Sequence, residues 1–172
     1  VKLVQSEELS DKMEYQIAAF LNSVSAESIS EEEAEEIKVL YRVIGELESL
    51  GDSGENISRI LERERVHNRK FDEATIEKIN LMISKVDLAY GVMVENLDKA
   101  ANGYVRDIAN AYNAEDVING TRDKLREEGI AQIESHTGNY QSLNYFLDII
   151  AELEAMGDFM INVSQAVVRN DN

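Results

Sequence analysis

Two pairs of acidic residues, each with a glycine just before the second acid, stand at matching places in two copies of one motif. ELESLGDSGENIS contains Glu48 and Asp52, and ELEAMGDFMINVS contains Glu154 and Asp158 at the same spacing. On a helix, residues four apart share a face, and two like charges at this spacing repel each other. Because clustered carboxylate oxygens bind hard cations, each pair is a candidate set of metal ligands.

The two segments belong to a longer internal repeat. Residues 46–58 align with residues 152–164 without gaps at an offset of 106, and seven of the thirteen positions are identical. A weaker match aligns EELSD at 7–11 with EDVIN at 115–119 at an offset of 108. Since 34 of the 172 residues are acidic, a single acidic pair arises readily by chance. The informative feature is therefore the recurrence of the whole pattern at a nearly constant offset, which predicts two corresponding pairs of helices.

The composition is that of an acidic chain suited to long helices. Acidic residues outnumber basic residues by 34 to 17, giving a formal net charge of −17, and proline, cysteine and tryptophan do not occur. Without proline, helices run uninterrupted, and without cysteine, disulfides and thiolate metal sites are excluded. Such a charge argues against nucleic acid as a partner and against charge-driven docking on anionic lipid. It favours cations as partners.

Amphipathic periodicity divides the chain into five long helices, and no alternating strand pattern competes with them. Ser30, followed by Glu33 three positions later, has the pattern of a capping box at the start of the second helix. The predicted helices cover roughly residues 3–25, 30–64, 72–101, 105–135 and 141–169. Because short breaks between long helices are typical of antiparallel bundles, the sequence predicts an all-α fold.

The repeat also predicts how the helices are grouped. It pairs the first and second helices with the fourth and fifth, which leaves the third helix without a counterpart. Shifting the third helix back by about 106 residues places its counterpart before residue 1. We therefore expect tandem antiparallel three-helix bundles, with the first helix of the first bundle absent and the chain part of a longer protein. The predicted domains are residues 1–68 and 69–172.

The acidic pairs lie at the border of the apolar arc of their helices. At 100° per residue, Glu154 lies within about 20° of Leu143, and Glu48 takes the matching place on its own helix. The adjacent glycines, Gly51 and Gly157, each cost about 1 kcal/mol of helix propensity. Their presence predicts that a neighbouring helix or an ion approaches closely there. We therefore expect the paired helices of each half to bring their acids face to face.

The doubled motif ELE-x-x-GD-x-x-x-N, at residues 46–56 and 152–162, resembles the signature of the PhoU family. The segments EDVINGTRDKLREEGIAQI and YFLDIIAELEAMGD are most similar to the PhoU-like domain that follows the membrane part of bacterial Na/Pi cotransporters. The resemblance covers nearly the whole chain. It implies a non-catalytic regulatory domain of phosphate transport at the cytoplasmic face of the membrane. The implied partner is the transmembrane portion of a phosphate transporter or a phosphate-signalling protein.

The resemblance further implies bound metal ions, because acidic pairs of the PhoU family hold iron or zinc, and an all-oxygen ligand set also suits magnesium. Carried over by position, the implied ligands form two sites, consisting of Glu7, Asp11, Glu48 and Asp52, and of Glu115, Asn119, Glu154 and Asp158. Asn119 stands where the family has an acid, so the second site has one charge fewer. Other residues also replace the usual arginine and histidine of both motifs.

Other functions remain open from the sequence. One is a free-standing PhoU-type regulator of phosphate signalling, and another is a metal-free helical scaffold, since border acids often form a solvated rim. A carboxylate-bridged metal oxidase would need Glu-x-x-His motifs, and neither His67 nor His136 lies in one. We therefore expect no enzyme activity. Assembly into a homo-oligomer is compatible with every one of these functions.

Overall fold

Five α-helices form the protein in this computed structural model, which describes residues 2–68, 70–103, 105–135 and 139–168, without the side chains of residues 2–4 and 7. The helices are α1 Lys2–Ser25, α2 Glu31–Val66, α3 Glu73–Asn102, α4 Ala109–Glu134 and α5 Tyr140–Ala166. The described residues include no strand longer than a single β-bridge. The predicted all-α fold is confirmed.

Side-chain caps start three of the helices. At α2, Ser30 Oγ accepts a hydrogen bond from the backbone N–H of Glu33 at 3.2 Å, and the Glu33 carboxylate accepts one from the backbone N–H of Ser30 at 2.7 Å. This is the predicted capping box. Asp72 caps α3 by accepting from the N–H of Thr75 at 2.8 Å, and Asn139 caps α5 in the same manner. Each cap satisfies backbone donors that a helix start leaves unpaired.

Two helix boundaries differ from the prediction by three residues or more. The fourth helix was expected from residue 105 and the fifth to residue 169, whereas α4 begins at Ala109 and α5 ends at Ala166. Val105 and Val168 instead form a parallel β-bridge, in which Val105 is buried. Local periodicity does not report a contact between segments so far apart in sequence, and this contact shortens both helices.

Helix α5 is the centre of the packing. Within the described residues it contacts α2, α3 and α4, whereas α1 contacts α2 alone. Because α3, α4 and α5 also contact one another pairwise, they form a three-helix bundle, and the extensive α2–α5 contact joins the α1–α2 pair to it. The shared core includes Met82, Ile118, Ile149 and Val163. The division of the chain at residue 68 stays a prediction.

A buried polar cluster connects the three helices of the bundle. Asn96 Nδ2 of α3 donates a hydrogen bond of 3.2 Å to Ser164 Oγ of α5. The amides of Asn96 and Asn110, at the start of α4, exchange hydrogen bonds of 3.3 and 3.1 Å. Because buried polar groups need partners, these bonds favour one alignment of α3 against its two neighbours.

Candidate metal centre

Three of the predicted ligands converge at the seam between α1 and α2. Asp11 lies on α1, Glu48 and Asp52 lie one turn apart on α2, and one carboxylate oxygen of each is within 4.8 Å of the other two. Glu48 is half-buried, and the other two residues are exposed. The fourth predicted ligand, Glu7, belongs to α1, but its side chain lies outside the described residues. The cluster presents three oxygen donors of the type that hard cations prefer.

Gly51 allows α1 to approach α2 beside this cluster. A Cβ atom at this position would lie 3.3 Å from Ser10 Oγ, which is closer than an ordinary van der Waals contact. At the matching position in the second half, a Cβ on Gly157 would lie 2.9 Å from Ile118 Cδ1. The prediction that both glycines mark close helix contacts is confirmed. At Gly51, the contact brings Asp11, the neighbour of Ser10, to the acids of α2.

Burial and neighbouring negative charges both act on the carboxyl group of Glu48. Partial burial raises its pKa above the ordinary value of 4.5, and the negative charges of Asp52, Glu14 and Asp11 raise the pKa further. The Ser49 hydroxyl, 3.5 Å from the carboxylate, opposes this shift. None of the salt bridges among the described residues involves the three clustered acids. A bound cation would relieve the repulsion between them.

Replacing Glu48 by glutamine is expected to stabilise the cation-free protein at neutral pH. A carboxyl group whose pKa is raised by folding holds its proton more tightly in the folded state, so its ionisation at higher pH lowers the free energy of unfolding. Glutamine has no such ionisation. The thermal midpoint of Glu48→Gln in chelator should exceed that of the wild type at neutral pH. The difference should shrink as the pH falls and disappear well below pH 4.5, where Glu48 is protonated in both the folded and the unfolded state. A difference independent of pH would contradict this account.

In the second half, an arginine pairs with the corresponding acid. Arg122 of α4 lies beside Glu154 of α5, with 3.2 Å between Nη1 and Oε1. Burial and then the charge of Asp158 raise the pKa of Glu154, whereas the charge of Arg122 lowers it. Among the described residues, Glu115, Glu154 and Asp158 do not converge as the first three acids do. The second predicted ligand set is therefore already paired with a positively charged side chain, that of Arg122.

Asn119, the remaining predicted ligand, precedes Arg122 by three residues on α4. Its Oδ1 atom is buried and accepts no hydrogen bond within the described part of the chain. The offset of 108 aligns Asn119 with Asp11 and Arg122 with Glu14. Asp11 and Glu14 together carry a charge of −2, whereas Asn119 and Arg122 together carry +1. The two halves therefore differ by three charge units at these aligned positions. We did not predict roles for Glu14 and Arg122, although the alignment already pairs them.

Two other identical positions of the motif connect the halves of the chain. Asn162 Nδ2 of α5 donates a hydrogen bond of 3.0 Å to Glu46 Oε2 of α2. Their counterparts, Asn56 and Glu152, line one surface pocket together. The first glutamate and the asparagine of the repeat therefore lie where α2 and α5 meet, and in one of the two copies they are hydrogen-bonded to each other across it. Only the second glutamate and the aspartate belong to the candidate metal centre.

The fold and the cluster define an all-helical protein with carboxylates gathered at a helix seam. Within the described ranges, no helix combines the length and the apolar character needed to cross a membrane. Comparison with protein-family models, with functionally characterised proteins and with solved structures finds no match to this chain. The resemblance to the PhoU family therefore rests on the residues of the doubled motif.

Proposed function

We propose that this chain is a non-catalytic regulatory domain of phosphate transport, the cytoplasmic PhoU-like portion of a Na/Pi cotransporter, with a cation held by Asp11, Glu48 and Asp52. The doubled motif supports the link to phosphate transport. The convergence of three carboxylates within 4.8 Å at one helix seam supports the cation site. In this proposal the cation joins α1 to α2, so its binding changes the stability of that helix pair.

The donor set fits a hard cation. All three groups are carboxylates, and the cluster contains neither histidine nor cysteine. Carboxylate oxygens suit magnesium and iron, and zinc also accepts them, whereas softer ions prefer nitrogen or sulfur. Because two of the three acids are exposed, water can complete the coordination of the ion. The negative charge of Glu14, which acts on Glu48, further favours a cation at this place.

Cation binding at this cluster is expected to depend on Asp52 and not on its counterpart. Calorimetric titration of chelator-treated protein with ferrous, zinc and magnesium ions should show one saturable site. Asp52→Asn should weaken binding about 30-fold, because it removes one unit of charge about 4 Å from a divalent ion. Asp158→Asn makes the same change at the matching position in the second half and should leave the affinity nearly unchanged. Equal losses in both variants would contradict the assignment of the site to this cluster, and no binding by the wild type would favour the metal-free scaffold.

The regulatory part of the proposal needs a transport measurement. The chain should bind the separately expressed transmembrane portion of a Na/Pi cotransporter, and phosphate uptake should change when the chain is absent. Failure to bind, together with unchanged uptake, would overturn the regulatory role without affecting the cation site. Conversely, loss of cation binding in Asp52→Asn with normal regulation would separate the two parts of the proposal.

A further inference from the structure

The end of α2 carries positive charge on an otherwise acidic chain. Residues 59–70 include five basic and two acidic residues, so this segment has a formal charge of +3, whereas the whole chain has −17. Positive charge concentrated in this way attracts anions. The segment begins beside the surface pocket that Asn56 and Glu152 line, which has a volume of about 590 Å³. An anion attracted to this end of α2 therefore has a concave surface to enter.

The pocket combines hydrogen-bond donors of α2 with an acceptor of α5. Its lining consists of Asn56, Arg59, Ile60, Glu62 and Arg63 of α2 and Glu152 of α5. Because Asn56, Arg59 and Arg63 follow one another at intervals of three and four residues, their side chains share one face of the helix. The Glu152 carboxylate lines the same space from the second helix. A ligand in the pocket can therefore accept hydrogen bonds from α2 and donate one to α5.

The internal repeat shows that two of these polar groups lack the partners that their counterparts have. Asn162 donates a hydrogen bond of 3.0 Å to Glu46, so that pair satisfies itself. The corresponding pair, Asn56 and Glu152, is half-buried. Within the part of the chain that the structure describes, neither side chain forms a hydrogen bond or an ion pair. The amide and the carboxylate are thus open to a ligand in the pocket between them.

The charges around the pocket leave one arginine for such a ligand. The Glu62 carboxylate accepts hydrogen bonds of 3.0 and 2.8 Å from Arg65, and Arg59 forms an ion pair of 2.8 Å with Glu55. Arg63 forms no ion pair with any described residue. Its Nε donates to the carbonyl of Arg59 at 3.4 Å, which leaves both terminal nitrogens. An arginine fork of this kind matches the oxygens of phosphate or carboxylate.

We propose that this pocket binds inorganic phosphate as a protonated ion. Arg63 and the amide of Asn56 donate hydrogen bonds to its oxygens, and the carboxylate of Glu152 accepts one from its hydroxyl group. Near neutral pH phosphate retains a proton and sulfate retains none, so the Glu152 carboxylate favours phosphate and repels sulfate. The choice of phosphate among protonated anions rests on the proposed role in phosphate transport. In that role the pocket lets the domain respond to the transported ion itself.

Calorimetric titration of the chain with phosphate, sulfate and methyl phosphate tests this assignment. At about pH 8 phosphate and sulfate both carry two negative charges, and methyl phosphate, with a last pKa of about 6, has lost its proton. Phosphate should therefore bind about tenfold more tightly than either of the other two ions. Glu152→Gln should reduce this preference to about twofold, because sulfate gains affinity when the repelling charge is removed. Glu46→Gln makes the same change at the matching position of the repeat and should keep the preference.

A second pair of variants tests the arginine. Arg63→Gln should weaken phosphate binding about tenfold or more, because it removes charge-assisted hydrogen bonds. Arg42→Gln makes the same change on α2 about 30 Å away and should leave the affinity nearly unchanged, since salt screens charges at that distance.

Several results would overturn the proposal. They are the absence of saturable phosphate binding, equal affinity for sulfate or methyl phosphate in the wild type, and a preference for phosphate that survives Glu152→Gln. Tighter binding of free glycine than of phosphate would overturn it in favour of a zwitterion whose ammonium group lies at Glu152. Normal regulation of uptake without phosphate binding would remove this site alone. Phosphate binding with unaffected uptake would instead overturn the regulatory role and leave the site in place.

Discussion

Replacing Glu14 by arginine is expected to weaken cation binding at the Asp11–Glu48–Asp52 cluster about a hundredfold. In the second half, the residue at the matching position is Arg122, whose guanidinium lies 3.2 Å from Glu154. An arginine at position 14 should reach Glu48 in the same way. The substitution changes the local charge by two units, which about 5 Å from a divalent ion costs about 3 kcal/mol even in the dielectric of water. This corresponds to an affinity loss of about two orders of magnitude.

Calorimetric titration and two control variants separate this charge effect from misfolding. Glu14→Gln removes one unit of charge without adding an internal cation, so its affinity should lie between those of the wild type and Glu14→Arg. The thermal midpoint of Glu14→Arg in chelator should match or exceed that of the wild type, because the new ion pair relieves the repulsion around Glu48. Wild-type affinity in a folded Glu14→Arg variant would show that the three acids do not form the binding site.

The reciprocal substitutions should create a site in the second half. Asn119→Asp together with Arg122→Glu gives that half the charges found at positions 11 and 14. The comparison between the two halves also bears on why both contain an acidic pair, Glu48 with Asp52 and Glu154 with Asp158, although the charges around the two pairs differ. In the second half Arg122 pairs with Glu154, and in the first half the proposed cation would take the place of that arginine.

Much of the fold could be predicted because its causes are local. The apolar periodicity of each segment indicates its helix, and Ser30 with Glu33 marks the start of α2 through hydrogen bonds within four residues. The bridge between Val105 and Val168 is different. It depends on how the end of α5 passes the start of α4, and no local pattern contains that information.

Of the eight predicted ligands, the structure brings three together, namely Asp11, Glu48 and Asp52. The positions of Glu48 and Asp52 at the border of an apolar arc follow from the helical period, and the repeat associates them with Asp11. Two facts about the site depend on tertiary contacts. The side chain of Arg122 could have pointed to solvent, and the hydrogen bond from Asn162 to Glu46 joins helices that only the folded chain brings together. Repeated residues therefore indicate a shared role, but only packing shows which role.

Replacing Gly157 by leucine is expected to cause the largest loss of stability among substitutions in the repeat. Even a Cβ atom here would lie 2.9 Å from Ile118 Cδ1 and 3.2 Å from its Cγ2, and Ile118 is 1% exposed in the core. Leucine adds three further carbons, so α4 and α5 must move apart or adopt strained rotamers. Overpacking of this kind costs about 1–3 kcal/mol or more, which exceeds the gain of about 1 kcal/mol in helix propensity.

Urea unfolding of two further glycine variants tests this account. Gly120→Leu lies on α4, where a Cβ atom meets nothing within 4 Å apart from the adjoining residues and backbone of its own helix, so it should show the propensity gain without the packing loss. Gly51→Leu faces Ser10 at the less buried seam between α1 and α2, so α1 can move away at a smaller cost. The expected order of stability is therefore Gly120→Leu above Gly51→Leu above Gly157→Leu. Equal stability of Gly51→Leu and Gly157→Leu would mean that α1 is held against α2 as firmly as α4 is held against α5. That result would contradict our expectation that α1, which contacts no described helix except α2, can move away from the larger side chain.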